Sequence, residues 1–299
     1  MLNKIFSAFW ANTKRQDDKR IATLTMPEGV KELNDFEYLP TGHKYHKLDV
    51  YYPENVTGKL PVVIDIHGGG WMYGDKELNK PYCLTLAKKG NVVFNISYRL
   101  FPEATADEQL RDVAKALKWI YENMDSFPCD KSSICLTGDS AGGMLAFFTA
   151  MLSQSEKMRQ LYDVEDFSLK FNAVGLVSPM MYMDDSSLTG FYTKRMLGKN
   201  YKSKKWADYL NAETILPLGD MIPAFLVSSK GDFLASEHTL RAAKLFEEKG
   251  VDYKLIYHGE GENAKLPHVF SVIYPNSEVS DEAIEEMIAF FKKHSTKTV

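Results

Sequence analysis

Gly138-Asp139-Ser140-Ala141-Gly142 has the form G-x-S-x-G. A serine hydroxyl attacks a carbonyl only where it is exposed and a neighbouring base takes its proton. Small residues on either side permit the tight strand-to-helix turn that lifts such a serine above a sheet. An apolar run, "ICLT", precedes the pentapeptide and another, "MLAFF", follows it, so it lies between a strand and a helix, where that turn belongs. A helix starting there also aims backbone N–H groups and the positive end of its dipole at one point. Ser140 is the candidate nucleophile.

A serine nucleophile needs a base, a group that orients the base, and donors for the oxyanion. Upstream, "PVVIDI" runs into His67 and then Gly68, Gly69 and Gly70. A dinucleotide fingerprint is excluded by spacing, because Gly68, Gly70 and Gly74 put one residue too many into G-x-G-x-x-G. No Gly-Lys-Ser/Thr follows, which excludes a Walker loop. An oxyanion loop needs only bare backbone donors, each contributing about 3 kcal/mol to the transition state. Gly68, Gly69, Gly70 and Ala141 are the candidate donors. Downstream, Asp232 follows the strand-like "PAFLVSS" and can orient an imidazole, although an aspartate there is also an ordinary turn or helix-start residue. Four histidines come later. His238 is too close to Asp232, and His294 suits the last turn of a C-terminal helix. His258 ends a strand and stays a competitor. His268, in the loop between the last strand and the last helix, is the expected base.

These residues must be held by an alternation of strands and helices, which implies one mostly parallel, doubly wound α/β sheet with its site at the strands' carboxyl ends. "LPVVIDIHG" and "NVVFNISYR" read as strands covered on both faces, and "YHKLDVYYP" as an exposed early strand. Leu110, Val113, Leu117, Ile120, Tyr121 and Met124 mark one helix face. Ser280 is the expected cap of the C-terminal helix. Residues 180–220, with Met180, Met181 and Met183 and no clean strand, read as an insertion over the sheet's edge or active end. No linker or repeat divides residues 1–299, so a single domain is expected.

Composition bounds the function. The chain is 44% hydrophobic and 25% charged with a net charge of −4, which gives no electrostatic reason for nucleic acid as a partner. Cys83, Cys129 and Cys135 fit neither a disulfide scaffold nor a zinc site and suit a reduced, cytoplasmic setting. No segment reaches the ~20 apolar residues of a membrane span. The N-terminus lacks the long apolar core of a signal peptide. Leu2, Ile5, Phe6, Phe9 and Trp10 form a helical stripe expected to pack on the protein itself rather than on a membrane.

Taken together, His67-Gly68-Gly69-Gly70-Trp71, Tyr98-Arg99-Leu100 with Pro102-Glu103, Gly138 to Gly143, Asp232-Phe233-Leu234 and His268-Val269-Phe270 resemble the hormone-sensitive-lipase-like family of α/β-hydrolases. The resemblance runs from about residue 45 to the C-terminus. It implies the α/β-hydrolase fold, with Ser140 as nucleophile, His268 as base and Asp232 as its orienting acid. It further implies an oxyanion hole from the Gly68–Gly70 run and Ala141, and a cap drawn from residues 1–40 and the 180–220 insertion. His67, Arg99 and Asp112 would shape loops. The activity implied is a serine carboxylesterase acting on a small acyl ester, acetyl to butyryl, without metal or cofactor. An amidase or formamidase, or a non-catalytic ligand-binding protein of this fold, are the alternatives, and the oligomeric state stays open, a homodimer included. The chain departs from the family at "ATADEQLRD" after Pro102-Glu103 and at "GEGENAK" before His268, where substrate size and entry would be set.

Overall fold

The computed structural model describes residues 2–183 and 194–295, with side chains from residue 8 onward. Its strands are β1 (Val30–Glu37), β2 (Lys47–Pro53), β3 (Leu60–Ile66), β4 (Val92–Ile96), β5 (Cys129–Asp139), β6 (Ala173–Val177), β7 (Ala224–Ser229) and β8 (Tyr253–His258). They form one sheet in the order β1-β2-β4-β3-β5-β6-β7-β8. The β1–β2 and β2–β4 pairs are antiparallel, and β4 to β8 run parallel. The helices are α1 (Leu2–Thr23), α2 (Lys76–Lys88), α3 (Ala106–Asn123), α4 (Ser140–Gln154), α5 (Glu156–Tyr162), α6 (Ala212–Ile215), α7 (Ser236–Lys249), α8 (Phe270–Ile273) and α9 (Glu278–His294).

The two faces follow from the period of a strand. On β3, Val62, Ile64 and Ile66 join one core with Val113 and Leu117 of α3 and Leu145 of α4. Val63 points the other way, into a second core with Tyr82 and Leu86 of α2 and Ile284 and Met287 of α9. Asp65 has the parity of Val63, so its carboxyl enters the α2 side. On that side α9 lies so close to β6 that a Cβ at Gly175 would stand 2.5 Å from Met287 Sδ.

Several sequence expectations change. β2 is not exposed: Leu48 to Tyr51 are buried, because β1, which its charged sequence "VKELNDFE" concealed, covers its outer edge. β1 also falls within the residues 1–40 expected to be cap, and is instead the outer strand of the sheet. Tyr121 is 49% exposed and off the buried face of α3. Helix α9 begins a turn early at Ser277, whose carbonyl accepts the Asp281 N–H, so Ser280 is buried inside the helix instead of capping it. Within 180–220, residues 184–193 lie outside the described range, and Tyr182 bridges Asn211 just before α6.

Candidate active site

Ser140 sits at φ +52°, the left-handed region a non-glycine residue adopts only when its surroundings impose it. Here β5 must end and α4 begin within one residue, and Gly142 makes that junction fit: a Cβ there would lie 2.0 Å from the Ile66 carbonyl oxygen. His268 reaches this serine from the loop before α8, with Nε2 2.9 Å from Ser140 Oγ. Its Nδ1 is 2.8 Å from Asp232 Oδ1. With Asp232 accepting Nδ1–H, Nε2 is left to accept the serine proton.

Asp232 fills both roles open to it in the sequence. Its Oδ1 accepts the Leu234 and Ala235 N–H groups at 3.1 and 2.9 Å, which shapes the turn, and its Oδ2 accepts from Ser228 Oγ at 3.1 Å. Burial alone would push this carboxyl up; the bond and charge of His268, with Ser178 and the Ala235 N–H, outweigh it and hold the pKa below the usual range. The other histidines are engaged elsewhere. His258 packs edge-on against Phe270, His238 Nδ1 accepts the Met181 N–H, and His294 lies 3.5 Å from Asp252.

The glycine run requires one correction. Gly68, expected among the oxyanion donors, gives its N–H to Asp139 Oδ1 at 2.9 Å. A Cβ there would come within 2.3 Å of Asp139 Oδ2, so the glycine serves this approach. Gly69 has φ +107° and would set a Cβ 2.0 Å from the Tyr73 carbonyl, so no other residue fits that turn. The Ala141 N–H belongs to the first turn of α4, which has no intrahelical acceptor. His67, Arg99 and Asp112 hold the surrounding loops. Arg99 grips the fully buried Asp112 through Nε and a terminal nitrogen at 2.7 and 2.8 Å. The His67 ring stacks on Tyr98 at 4.4 Å, and Tyr98 donates to the His67 carbonyl. Burial pushes the His67 ring down to about 4, so it is neutral at pH 7.

The sequence reading passed over a buried polar cluster behind this loop, Asp65, Asn79 and Asp139. The missed signal was a carboxylate inside a strand covered on both faces, which demands a partner. Burial, reinforced by the neighbouring Asp139 charge, pushes the Asp65 carboxyl up to about 8 despite its bond from Asn79. A raised folded pKa means the folded state keeps a proton that the unfolded chain releases near pH 4, so stability falls as pH rises from about 4 towards 8. Asp65→Asn removes that loss. Its gain over the wild type in urea unfolding should be near zero at pH 4 and on the order of 3 kcal/mol at pH 7. Equal gains at both pH values would contradict a buried neutral carboxyl.

A cavity of about 590 Å³ opens at Ser140 and His268. One wall is α1, which contributes Phe9, Trp10, Thr13, Asp17 and Arg20. Trp10 stacks on Tyr73 with centroids 5.5 Å apart, and Tyr73 Oη donates to Asp17 at 3.0 Å. Arg20 ties the helix to the Ile273 carbonyl at 2.6 Å. The described part of the N-terminal stripe thus meets the protein itself at Trp10, while Phe9 is 59% exposed and the Leu2, Ile5 and Phe6 side chains lie outside the described residues. Among the described residues no cluster of three or more His, Cys, Asp or Glu could hold a metal, and no helix is long and apolar enough to cross a membrane.

The chain is similar to several known proteins. Residues 48–214 match the BD-FAE family model. Esterase B from Lactobacillus rhamnosis superposes with a TM-score of 0.92 at 31% identity, over 99% of this chain and 96% of that one. Arylacetamide deacetylase of Bos taurus is 28% identical over 271 residues, 83% of this chain and 63% of the bovine one. Carboxylesterase NlhH of Mycobacterium tuberculosis is 37% identical over 106 residues, 35% of this chain and 33% of its own. The chain thus spans less than two thirds of the length of these two curated relatives. The family match, the near-complete superposition on an esterase and the eight-stranded sheet agree: the chain belongs to the BD-FAE family, within the hormone-sensitive-lipase-like esterases of the α/β-hydrolase fold.

Proposed function

We propose that this protein is a serine carboxylesterase that hydrolyses short-chain acyl esters through an acyl-enzyme. The observation that carries the reading is the chain of contacts Ser140 Oγ–His268 Nε2–His268 Nδ1–Asp232 Oδ1, at 2.9 and 2.8 Å, opening into the cavity. His268 takes the Ser140 proton as Oγ attacks the ester carbonyl, and Asp232 stabilises the imidazolium. The oxyanion is received by the N–H groups of Gly69, Gly70 and Ala141. Collapse breaks the ester C–O bond, and His268 returns the proton to the departing alcohol. A water then repeats the sequence on the acyl-serine, releasing the acid and restoring Ser140.

A short acyl group is supported by the Lactobacillus enzyme, whose structure was solved inhibited by a C4-C4 tributyrin phosphonate. The cavity of about 590 Å³ has the volume for such an acyl group. Three buried, unpaired thiols support a cytoplasmic setting. The bovine relative's name favours a second reading, cleavage of an aryl amide by the same three residues. One series of p-nitrophenyl esters from acetyl to palmitoyl, with matched p-nitroanilides, tests both. The expected result is a kcat/KM maximum between acetyl and butyryl and slower amide cleavage. A maximum at long chains would overturn the short-acyl reading, and amides faster than esters would replace it with an amidase.

A further inference from the structure

Buried carboxyl groups need hydrogen-bond partners, and the two behind the oxyanion loop share one. Asn79, in the first turn of α2, is 1% exposed. Its Nδ2 donates to Asp65 Oδ2 at 2.9 Å and to Asp139 Oδ1 at 2.8 Å. An amide nitrogen carries two hydrogens, so both are used, and the reversed amide would set its oxygen against Asp139 Oδ1, which already accepts the Gly68 N–H. Asp139 stands at the N-cap position of α4, yet its side chain makes no capping bond. It reaches across instead, and its Oδ1 also accepts the Gly68 N–H. The same residue immediately precedes Ser140. One carboxylate therefore ties the nucleophile's turn to the glycine loop, and one amide ties that carboxylate to β3 and α2.

We propose that Asn79 is a positioning residue for the oxyanion loop, fixing Asp139 and, through Asp139 Oδ1, the Gly68 peptide, so that the donors that follow keep their place over Ser140. Asn79 does so without touching the reacting atoms. Remove its amide and Asp139 loses a donor that a buried carboxylate needs; the Gly68 bond then weakens and the loop is free to shift. The inference rests on the esterase reading above.

The test compares a p-nitrophenyl ester with its thiono analogue, whose C=S sulfur accepts N–H bonds weakly and so depends less on the loop. Asn79→Leu removes the donors at similar volume. Asn79→Ser keeps one donor in a smaller side chain and is measured beside it, in case leucine against two carboxyls costs the fold. Ester hydrolysis by the wild type, abolished by Ser140→Ala, checks the underlying reading separately. For Asn79→Leu, kcat on the oxo ester should fall about 30-fold with KM within about twofold, while the thiono ester loses less than about threefold. Asn79→Ser should fall between. Equal losses on both esters would reduce Asn79 to a packing role, and an unchanged oxo-ester kcat in either folded variant would also overturn the proposal.

Discussion

Ser140→Ala should lower kcat/KM for a short acyl ester by about a million-fold, the loss typical of removing a nucleophile whose base and oxyanion donors stay in place. Alanine suits this test because the serine side chain contributes little to the fold: among the described residues its hydroxyl bonds to His268. The left-handed backbone at φ +52° is imposed by the junction of β5 and α4 and remains after the change. Thermal unfolding should therefore stay within a few degrees of the wild type, and a substrate analogue should still shift the melting temperature. Hydrolysis within tenfold of the wild type, in protein free of a contaminating esterase, would remove Ser140 from the mechanism.

Asp232→Asn isolates the orienting acid. Asparagine is the same size, and its oxygen can still accept the Leu234 and Ala235 N–H groups that shape the turn. That oxygen is the atom that faces His268 Nδ1, so the amide nitrogen turns to Ser228 Oγ, and His268 keeps its tautomer but loses the negative charge that stabilises its imidazolium. A loss of about 10⁴ in kcat is expected, with KM nearly unchanged. The variant also reports on stability. The Asp232 carboxyl is held below its ordinary value, so its ionised form stabilises the fold above about pH 4, and that contribution is lost as pH falls through the folded pKa. The stability gap between wild type and variant should thus narrow in acid. A kcat near the wild-type value at neutral pH would show that the His268 imidazolium needs no negative charge at Asp232.

Much of this site was legible because chemistry restricts which residues can surround a nucleophile. G-x-S-x-G at a strand–helix junction located Ser140, and the loop position of His268 separated it from His258. Asp232 was legible as an aspartate after a strand, although only its contact with His268 distinguishes orienting from turn-shaping. Gly68 misled, because a bare backbone position looks the same whether it donates to substrate or admits a carboxylate. Asn79 was hidden for another reason: an asparagine in the first turn of a helix is common, and only tertiary contact brings it to Asp65 and Asp139. In the fold, the apolar runs of β3 and β4 announced themselves, whereas the charged β1, with its irregular pairing between Leu33 and Phe36, did not.

The close seating of α9 on β6, where Met287 fills the space a Gly175 side chain would need, has a consequence during synthesis. A ribosome makes Ser140 128 residues before His268, the base it needs, and α9 closes that side of the sheet later still. A nascent chain bearing the serine is therefore inert towards esters. On the proposed mechanism, activity waits for the His268 loop to reach Ser140, and its appearance reports when these two distant segments have come together.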